Sequence, residues 1–193
     1  MEISDTGFWN TQDPQHWFDK RLCHFISSLI KRKSIKTLVD FGCGDCSYIK
    51  SIINGGVSCE GYDGNPFTSE VSSGFGRILD LSTKVELGKK FDCVLSLETG
   101  EHIPKEFEQI FFNNIVNHSN NLIIISWAIP GQGGNGHFNE RENRYVISEI
   151  EKRNFKLNKK ESLLLRNQSS IYWFKQTLMV FEYENNSVVN NKK

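Results

Sequence analysis

One short segment constrains the fold of this chain more than any other feature. Residues Val39–Cys46 have the sequence Val-Asp-Phe-Gly-Cys-Gly-Asp-Cys. The residues before the first glycine are apolar and β-branched, as in a buried strand, and apolar residues recur at helical spacing from Tyr48 to Ile53. Glycines permit a sharp turn and close approach of a ligand, and the amides that open the helix can then donate to a bound anion. The pattern predicts a strand, a turn that binds a nucleotide-type cofactor, and a helix.

A second acid supports a cofactor site. The segment Cys59–Asp63 is predicted to be the next strand, and Asp63 follows the turn by about 20 residues, where a carboxylate can accept both hydroxyls of a ribose. A dinucleotide loop would need a third small residue where this chain has Ser47, and Asp40 would place negative charge near the phosphates. S-adenosylmethionine carries no phosphate, and Asp40 or Asp45 would attract its positive sulfonium and ammonium groups. The sequence therefore favours S-adenosylmethionine.

Several further segments occur in an order that is specific in combination. They are Val39–Asp45, Gly61–Gly64, Ile78–Leu81 and Phe91–Glu98 followed by Glu101–Ile103. Together they resemble the successive motifs of class I, Rossmann-like S-adenosylmethionine-dependent methyltransferases, and the resemblance extends from Ile35 to Tyr183. It implies that the turn holds the methionine moiety of the cofactor, Asp63 the ribose, and Asp80 with Leu81 the adenine edge. The predicted cofactor-binding residues are Asp40, Gly42, Cys43, Gly44, Asp45, Asp63, Gly64, Asn65, Asp80, Leu81 and Leu97.

The periodicities and the resemblance predict an α/β fold. We expect a doubly wound, mostly parallel seven-stranded sheet with an antiparallel edge strand and helices on both faces. Strands are expected at 36–41, 57–63, 77–80, 91–97, 121–127, 155–162 and 177–183, the last two as an antiparallel pair at one edge, and helices at 104–116 and 143–153. Asp13 and Pro14 form a helix-start signal near the N-terminus. Residues 1–34 are predicted to be a helical segment packed on the domain, 35–184 the methyltransferase domain, and 185–193 a disordered tail.

The charge balance and the length of the apolar runs indicate which partners the protein has. Lysine plus arginine and aspartate plus glutamate both number 23, so no overall field recruits nucleic acid or an anionic membrane. The N-terminus lacks the basic and apolar segments of a signal peptide, and the longest apolar run, Leu122–Ile129, is too short to span a bilayer. We therefore expect a single cytoplasmic domain with a small-molecule or glycan substrate, and we disfavour nucleic acid and membrane as partners. The sequence leaves the oligomeric state open.

The cysteines predict neither disulfides nor a metal site. The chain has five cysteines, an odd number, and Cys59 and Cys93 fall inside predicted buried strands. Cys43 and Cys46 form a C-x-x-C pair, but no second pair or nearby histidines at ligand spacing accompany it. We therefore expect no bound metal.

Two segments follow the carboxyl ends of predicted strands, where chemistry occurs in this type of sheet. In the first, Glu98, Glu101 and His102 cluster within one turn. An acid or imidazole there could face the transferred methyl group or orient the nucleophile. The alternative is that Glu101 and His102 begin the next helix, where an acid suits the positive N-terminus and the histidine packs. We favour an active-site wall, with Glu98 and His102 as candidate catalytic residues.

The second segment is rich in glycine. Ser126–Asn139 is similar to a loop in a small subgroup of these methyltransferases, and its four glycines are costly to order. They permit close approach of a ligand or closure of a lid, although a plain connector is the alternative. His137 is the candidate general base because a histidine pKa can lie near working pH. The predicted substrate-binding residues are Trp127, Gln132, Asn139 and Arg141.

These observations predict methyl transfer from S-adenosylmethionine to a small polar acceptor. The polar residues of the glycine-rich loop favour a hydroxyl of a sugar or glycan. No Asn/Asp-Pro-Pro-aromatic tetrapeptide follows the fourth strand, which disfavours an exocyclic amine of DNA. Two alternatives remain open, a nicotinamide-dependent oxidoreductase and a catalytically silent cofactor-binding module that acts through a partner.

Overall fold

The computed structural model describes residues 2–184, so the predicted tail at 185–193 lies outside the described residues. The strands are β1 Glu2–Ile3, β2 Trp9–Asn10, β3 Thr37–Phe41, β4 Ser58–Asp63, β5 Gly76–Ile78, β6 Phe91–Ser96, β7 Ser119–Ile125, β8 Phe155–Leu157 and β9 Met179–Tyr183. The helices are α1 Lys20–Arg32, α2 Ser47–Ile53, α3 Thr68–Val71, α4 Glu108–Asn117, α5 Asn143–Glu151, α6 Lys159–Gln168 and α7 Phe174–Thr177. Short 3-10 turns occur at Gly100–His102 and Lys105–Phe107.

The main sheet has seven strands in the order β5-β4-β3-β6-β7-β9-β8. Strands β3 to β7 are mutually parallel, and β9 runs antiparallel to both β7 and β8. This arrangement confirms the predicted α/β class. The antiparallel strand, β9, is not the edge strand that the sequence predicted. It lies next to the edge, because β8 pairs with its outer side.

Helices cover both faces of the sheet, and the sequence of β7 explains how. Alternate side chains of a strand point to opposite faces. Ile123 and Ile125 belong to the core that α4 and α5 cover, whereas Leu122 and Ile124 belong to the core beneath α1 and α6. A strand buried on both faces has a continuous apolar sequence, as the run of isoleucines in β7 shows.

The N-terminal helix begins later than the sequence predicted. Asp19, rather than Asp13, caps α1, and its Oδ1 accepts from the Leu22 amide at 2.9 Å. The other oxygen of Asp19 accepts from the amides of Ser170 at 2.6 Å and Ile171 at 2.9 Å. These distant contacts fix the start of the helix at residue 20. The preceding residues form a two-stranded antiparallel ribbon of β1 and β2 and an extended segment.

The predicted strand at 155–162 is also wrong in part. It ends at Leu157, because the side chain of Asn158 accepts from the Glu161 amide at 3.0 Å and caps α6. An asparagine cap followed three residues later by glutamate is a helix-start pattern. Within residues 2–184, no helix combines the length and the apolar character needed to cross a bilayer.

Candidate active site

A cavity of about 700 Å³ lies at the carboxyl ends of the parallel strands. Its size lies within the range of small-molecule sites. The turn after β3, the end of β4, the segment after β6 and the glycine-rich loop all contribute to its walls. Every predicted cofactor-binding residue lines this cavity, and so do Glu98, His102, Gln132 and His137. The topology thus brings together most of the predicted site.

Three predicted substrate-binding residues do not line the cavity. Trp127 is 0% exposed, stacks on Phe112 and donates through Nε1 to the Asn139 carbonyl at 2.6 Å. The side chains of Asn139 and Arg141 both donate to Glu108, at 3.1 Å and 2.8 Å. The buried carboxylate of Glu108 at the start of α4 therefore satisfies both residues, and Trp127 fills the core. This placement contradicts the predicted substrate contacts of these three residues.

The cofactor turn, Gly42–Asp45, makes the sharp backbone turn that its glycines predicted. Gly42 has φ +84°, and a Cβ there would collide with the side chain of Thr99. Its amide and that of Cys43 donate to the Tyr62 carbonyl, at 2.8 and 3.0 Å. The Gly44 amide donates to Asp63 at 3.0 Å.

The backbone amide at the start of the helix after this turn also has a hydrogen-bond partner within the protein. The Ser47 amide, which opens α2, donates to Asp45 Oδ1 at 2.9 Å. The expectation of free amides for an anion is therefore wrong for Gly42, Cys43, Gly44 and Ser47. The polypeptide itself uses these donors.

Three carboxyl groups give this end of the cavity its chemical character. They belong to Asp40, Asp45 and Asp63, and all three line the cavity. Asp40 is 3% exposed, and burial raises its pKa to about 8, with the charges of Asp63 and Asp45 adding to the shift. A positively charged group bound here would relieve the mutual repulsion of these acids.

The adenine end predicted from the resemblance is formed by Asp80 and Leu81. Asp80 Oδ1 accepts from the amide and hydroxyl of Ser82, at 2.9 and 2.7 Å, which fixes the carboxylate. Its Oδ2 accepts from the Thr6 hydroxyl at 3.1 Å. Leu81 is buried beside it. This end of the cavity is therefore anchored to the N-terminal part of the chain.

A further part of the cavity is the histidine wall, in which Glu98, His102 and His137 line the cavity and the buried Glu101 lies beside the two histidines. Gly100–His102 is a 3-10 turn and α4 begins only at Glu108, so Glu101 and His102 do not start that helix. The rings of His102 and His137 lie 5.0 Å apart, edge to face. The glycine-rich loop is therefore folded against the segment that follows β6.

Burial shifts the pKa values of three groups in the histidine wall, Glu98, Glu101 and His102. Burial raises the pKa of Glu98, although its carboxylate accepts from Gln132 at 2.5 Å and from Thr177 at 3.3 Å. Burial, reinforced by the charge of Glu98, holds the pKa of Glu101 well above its ordinary value. Burial lowers the pKa of His102 to about 4, so its ring is neutral. Perturbed groups that converge on a cavity are typical of functional sites.

The N-terminal cover, residues Thr6–Phe18, forms a further wall that the sequence did not predict. Trp9 stacks on His16 with ring centroids 5.6 Å apart and meets the ring of His102 edge to face at 5.4 Å. The Asn65 side chain donates to the Thr11 carbonyl at 2.8 Å. This segment has little regular structure, so periodicity gives no sign of it. The aromatic residues within an otherwise polar stretch were the available signal.

Comparisons with known proteins identify the fold. No family model matches the chain, and neither does any curated protein. The sugar N-methyltransferase KedS8 from Streptoalloteichus sp ATCC 53650 superposes with a TM-score of 0.71 at 10% identity, over 96% of this chain and 99% of that one. Magnesium protoporphyrin IX methyltransferase (ChlM) from Synechocystis PCC 6803, solved with bound SAH, gives 0.64 at 16% identity, over 89% and 90%.

An S-adenosylmethionine-dependent methyltransferase from Clostridium acetobutylicum ATCC 824 gives a TM-score of 0.67 at 9% identity, over 88% of this chain and 93% of that one. The superpositions cover nearly the whole described chain, so these structures share its fold. The chain therefore has the class I, Rossmann-like fold of S-adenosylmethionine-dependent methyltransferases, as its motifs predicted.

Proposed function

We propose that the protein transfers a methyl group from S-adenosylmethionine to a hydroxyl of a small polar acceptor, such as a sugar or glycan. The observation that carries this proposal is that two unlike groups line one cavity. Asp40, Asp45 and Asp63 form an acidic end, and Glu98, His102 and His137 of the histidine wall form the other group. S-adenosylmethionine, when bound, supplies a methyl group on a positively charged sulfur.

The acidic end fits this cofactor. Asp63 lies at the end of β4 and would hold the ribose, while Asp40 and Asp45 would favour the cationic methionine part. Asp80 and Leu81 would hold the adenine. A pyrophosphate would instead meet turn amides that already donate to Tyr62 and Asp63, beside three acids. This electrostatic mismatch disfavours the nicotinamide-dependent alternative.

The histidine wall fits a hydroxyl acceptor. Transfer replaces the acceptor's O–H bond with an O–CH3 bond, so a proton has to leave the oxygen. His137 Nδ1 lies 3.1 Å from Glu140 Oε1, and the acceptor character of the carboxylate makes that nitrogen the donor. The other ring nitrogen, Nε2, is then left with a lone pair that can accept a proton. His137 is therefore our candidate base, supported by Glu98 and His102 in the same wall.

Acceptor binding would use the polar groups that remain on the cavity surface. Gln132 and Asn135 of the glycine-rich loop line it, and Trp17 and Trp173 provide aromatic surface at its mouth. Trp17 is 69% exposed and meets Trp173 edge to face. Aromatic faces of this kind suit sugar rings.

Two measurements test the proposal. Calorimetric titration with S-adenosylmethionine and with NAD compares the two cofactor classes, and binding of NAD alone would overturn the assignment. A screen of sugars, amines and nucleic acids for release of S-adenosylhomocysteine then identifies the acceptor. Cofactor binding without release in any acceptor class would favour the silent cofactor-binding module instead.

A further inference from the structure

We infer that Glu101, His102 and His137 together bind one divalent transition-metal ion. Each residue offers one ligand atom, and these atoms all lie within 4.8 Å of one another. His102 and His137 also line the cavity, so an ion held between them would face the acceptor. The role that we assign to the ion rests on the proposed function, whereas its binding does not.

The strongest sign of a missing partner is the carboxyl group of Glu101. This residue is 0% exposed, and neither of its carboxyl oxygens has a hydrogen-bond partner among residues 2–184. Burying an acid without a partner is costly, and buried charges in proteins are normally paired or bound to a metal. Two histidines within coordinating distance make a metal ion the partner that fits this acid.

The two histidines are oriented as metal-binding histidines usually are. His102 Nδ1 lies 3.1 Å from the Gly136 carbonyl, and a carbonyl oxygen can only accept, so Nδ1 carries the proton. His137 Nδ1 is held in the same way by Glu140 Oε1, at 3.1 Å. Each ring therefore keeps its Nε2 lone pair available. A second partner that fixes the tautomer of each histidine is a regular feature of metal sites.

Glu140 also organises the loop that carries His137. Its two oxygens accept from the amides of Gly131 and Gly133, each at 2.7 Å. One carboxylate thus fixes both the glycine-rich backbone and the histidine ring. A loop held in this way presents the ring with little conformational freedom.

The donor set indicates the class of metal. Two imidazoles and one carboxylate favour Mn²⁺, Fe²⁺, Co²⁺ or Zn²⁺ over Mg²⁺ or Ca²⁺, which prefer oxygen alone. Three protein ligands leave further coordination positions open. A hydroxyl of the acceptor that occupies one of these positions would become more acidic.

With the ion in place, His137 would act as a ligand, and Glu98, which also lines the cavity, would take the proton. The O–H bond of the acceptor would break with its proton passing to Glu98. The oxygen would form the new bond to the methyl carbon, and the electron pair of the broken C–S bond would remain on sulfur.

Metal binding by the full chain tests the inference directly. Equilibrium dialysis against Mn²⁺ and against Zn²⁺, followed by elemental analysis, should give one ion per chain. Glu101→Gln, His102→Ala and His137→Ala should each weaken binding at least tenfold, and Glu140→Gln about 10- to 100-fold because it acts through His137. The matched controls are His24→Ala and Glu106→Gln, which alter exposed residues of the same types outside the cavity.

A spectroscopic readout separates lost ligation from lost folding. The Co²⁺-loaded protein should show visible absorption bands that change in the His102 and His137 variants but not in the His24 variant. Glu101→Gln should fold, since it removes a buried acid that has no partner. Uptake well below one ion per chain, or uptake unaffected by the three ligand variants, would overturn the inference.

The inference and the proposed function fail in distinguishable ways. If S-adenosylmethionine binds and methyl transfer proceeds at full rate in a strong chelator, the ion's role is wrong and the proposed function stands. If the metal binds but the cofactor does not, the proposed function is wrong and the metal site stands.

Discussion

Two acids of the cofactor turn and one acid of the histidine wall differ in whether the protein itself provides their hydrogen-bond partners. At the cofactor turn, Asp45 and Asp63 accept hydrogen bonds from the amides of Ser47 and Gly44. In the histidine wall, Glu101 is fully buried without a partner among residues 2–184. The folded polypeptide thus provides partners for Asp45 and Asp63, whereas Glu101 gains a partner only when something binds. This difference suits a protein that binds its cofactor independently of its acceptor. The residues that would hold the cofactor are largely positioned in advance, whereas the histidine wall needs a bound group.

The largest expected effect lies in the histidine wall. His137→Ala should lower the rate of methyl transfer by about 10²- to 10⁴-fold, because the acceptor hydroxyl loses the group that activates it. Cofactor affinity should change little, since His137 is not among the residues proposed to hold the cofactor. Single-turnover kinetics and calorimetry measure the two quantities, with His24→Ala as the control. Unchanged turnover would show that His137 has no part in activation.

A smaller effect is expected at the cofactor turn. Asp63→Ala should weaken S-adenosylmethionine binding by about 10- to 100-fold, because charge-assisted hydrogen bonds to the ribose and to the Gly44 amide are lost. Glu70→Ala, which removes an exposed acid from α3, is the control and should bind normally. If both variants bind equally well, the ribose assignment of Asp63 is wrong.

Cofactor affinity should also depend on pH through Asp40. In the protein without cofactor, burial raises the pKa of Asp40 to about 8, so the group is mostly protonated at neutral pH. A cationic cofactor favours the ionised form and lowers this pKa, so the complex holds fewer protons than the free protein. Affinity should therefore rise with pH, by up to about tenfold per unit, and level off above about pH 8.

Calorimetry between about pH 6 and pH 9 measures this dependence on pH. Asp40→Asn should remove most of the rise, because the amide does not titrate. A rise of equal size in the variant would assign the dependence to another group.

The smallest expected effects are changes in the free energy of unfolding. Glu101→Gln should raise the free energy of unfolding by about 1 kcal/mol, because a neutral amide is less costly to bury than an unpartnered acid. Asp19→Ala, by contrast, should lower it by about 2 kcal/mol through loss of the α1 cap. Urea denaturation without added metal gives both values. Destabilisation by Glu101→Gln would mean that this acid already has a stabilising partner in the protein.

Local patterns predicted the cofactor end well. The strand, turn and helix from β3 to α2 are contiguous in sequence, and short-range periodicity and glycine spacing determine them. The predicted start of α1 was wrong because both Asp13 and Asp19 are residues that can cap a helix. Asp19 is the cap in the structure, where the distant amides of Ser170 and Ile171 also donate to it. The end of β8 was missed although Asn158 carried a capping signal.

The acceptor end was less predictable for a physical reason. Asn139 and Arg141 lie in the segment for which we predicted substrate contacts, but both side chains donate hydrogen bonds to the buried carboxylate of Glu108. A pairing between residues so far apart in sequence leaves no periodic pattern. Glu101 and His102 likewise meet His137 only in the tertiary fold, so no local sequence pattern predicts the metal site that we infer there.

The N-terminal cover lines the cavity although it lies outside the main sheet, so the site uses more of the chain than the sheet and its helices do. A fragment beginning at α1 would retain every strand of the main sheet and the helices that cover it, yet it would lack Trp9 and His16 and the Thr6 hydroxyl that meets Asp80. Such a fragment would possess the architecture of a methyltransferase with one side of its binding chamber removed. Domain boundaries drawn from the sheet alone would therefore cut through the site itself.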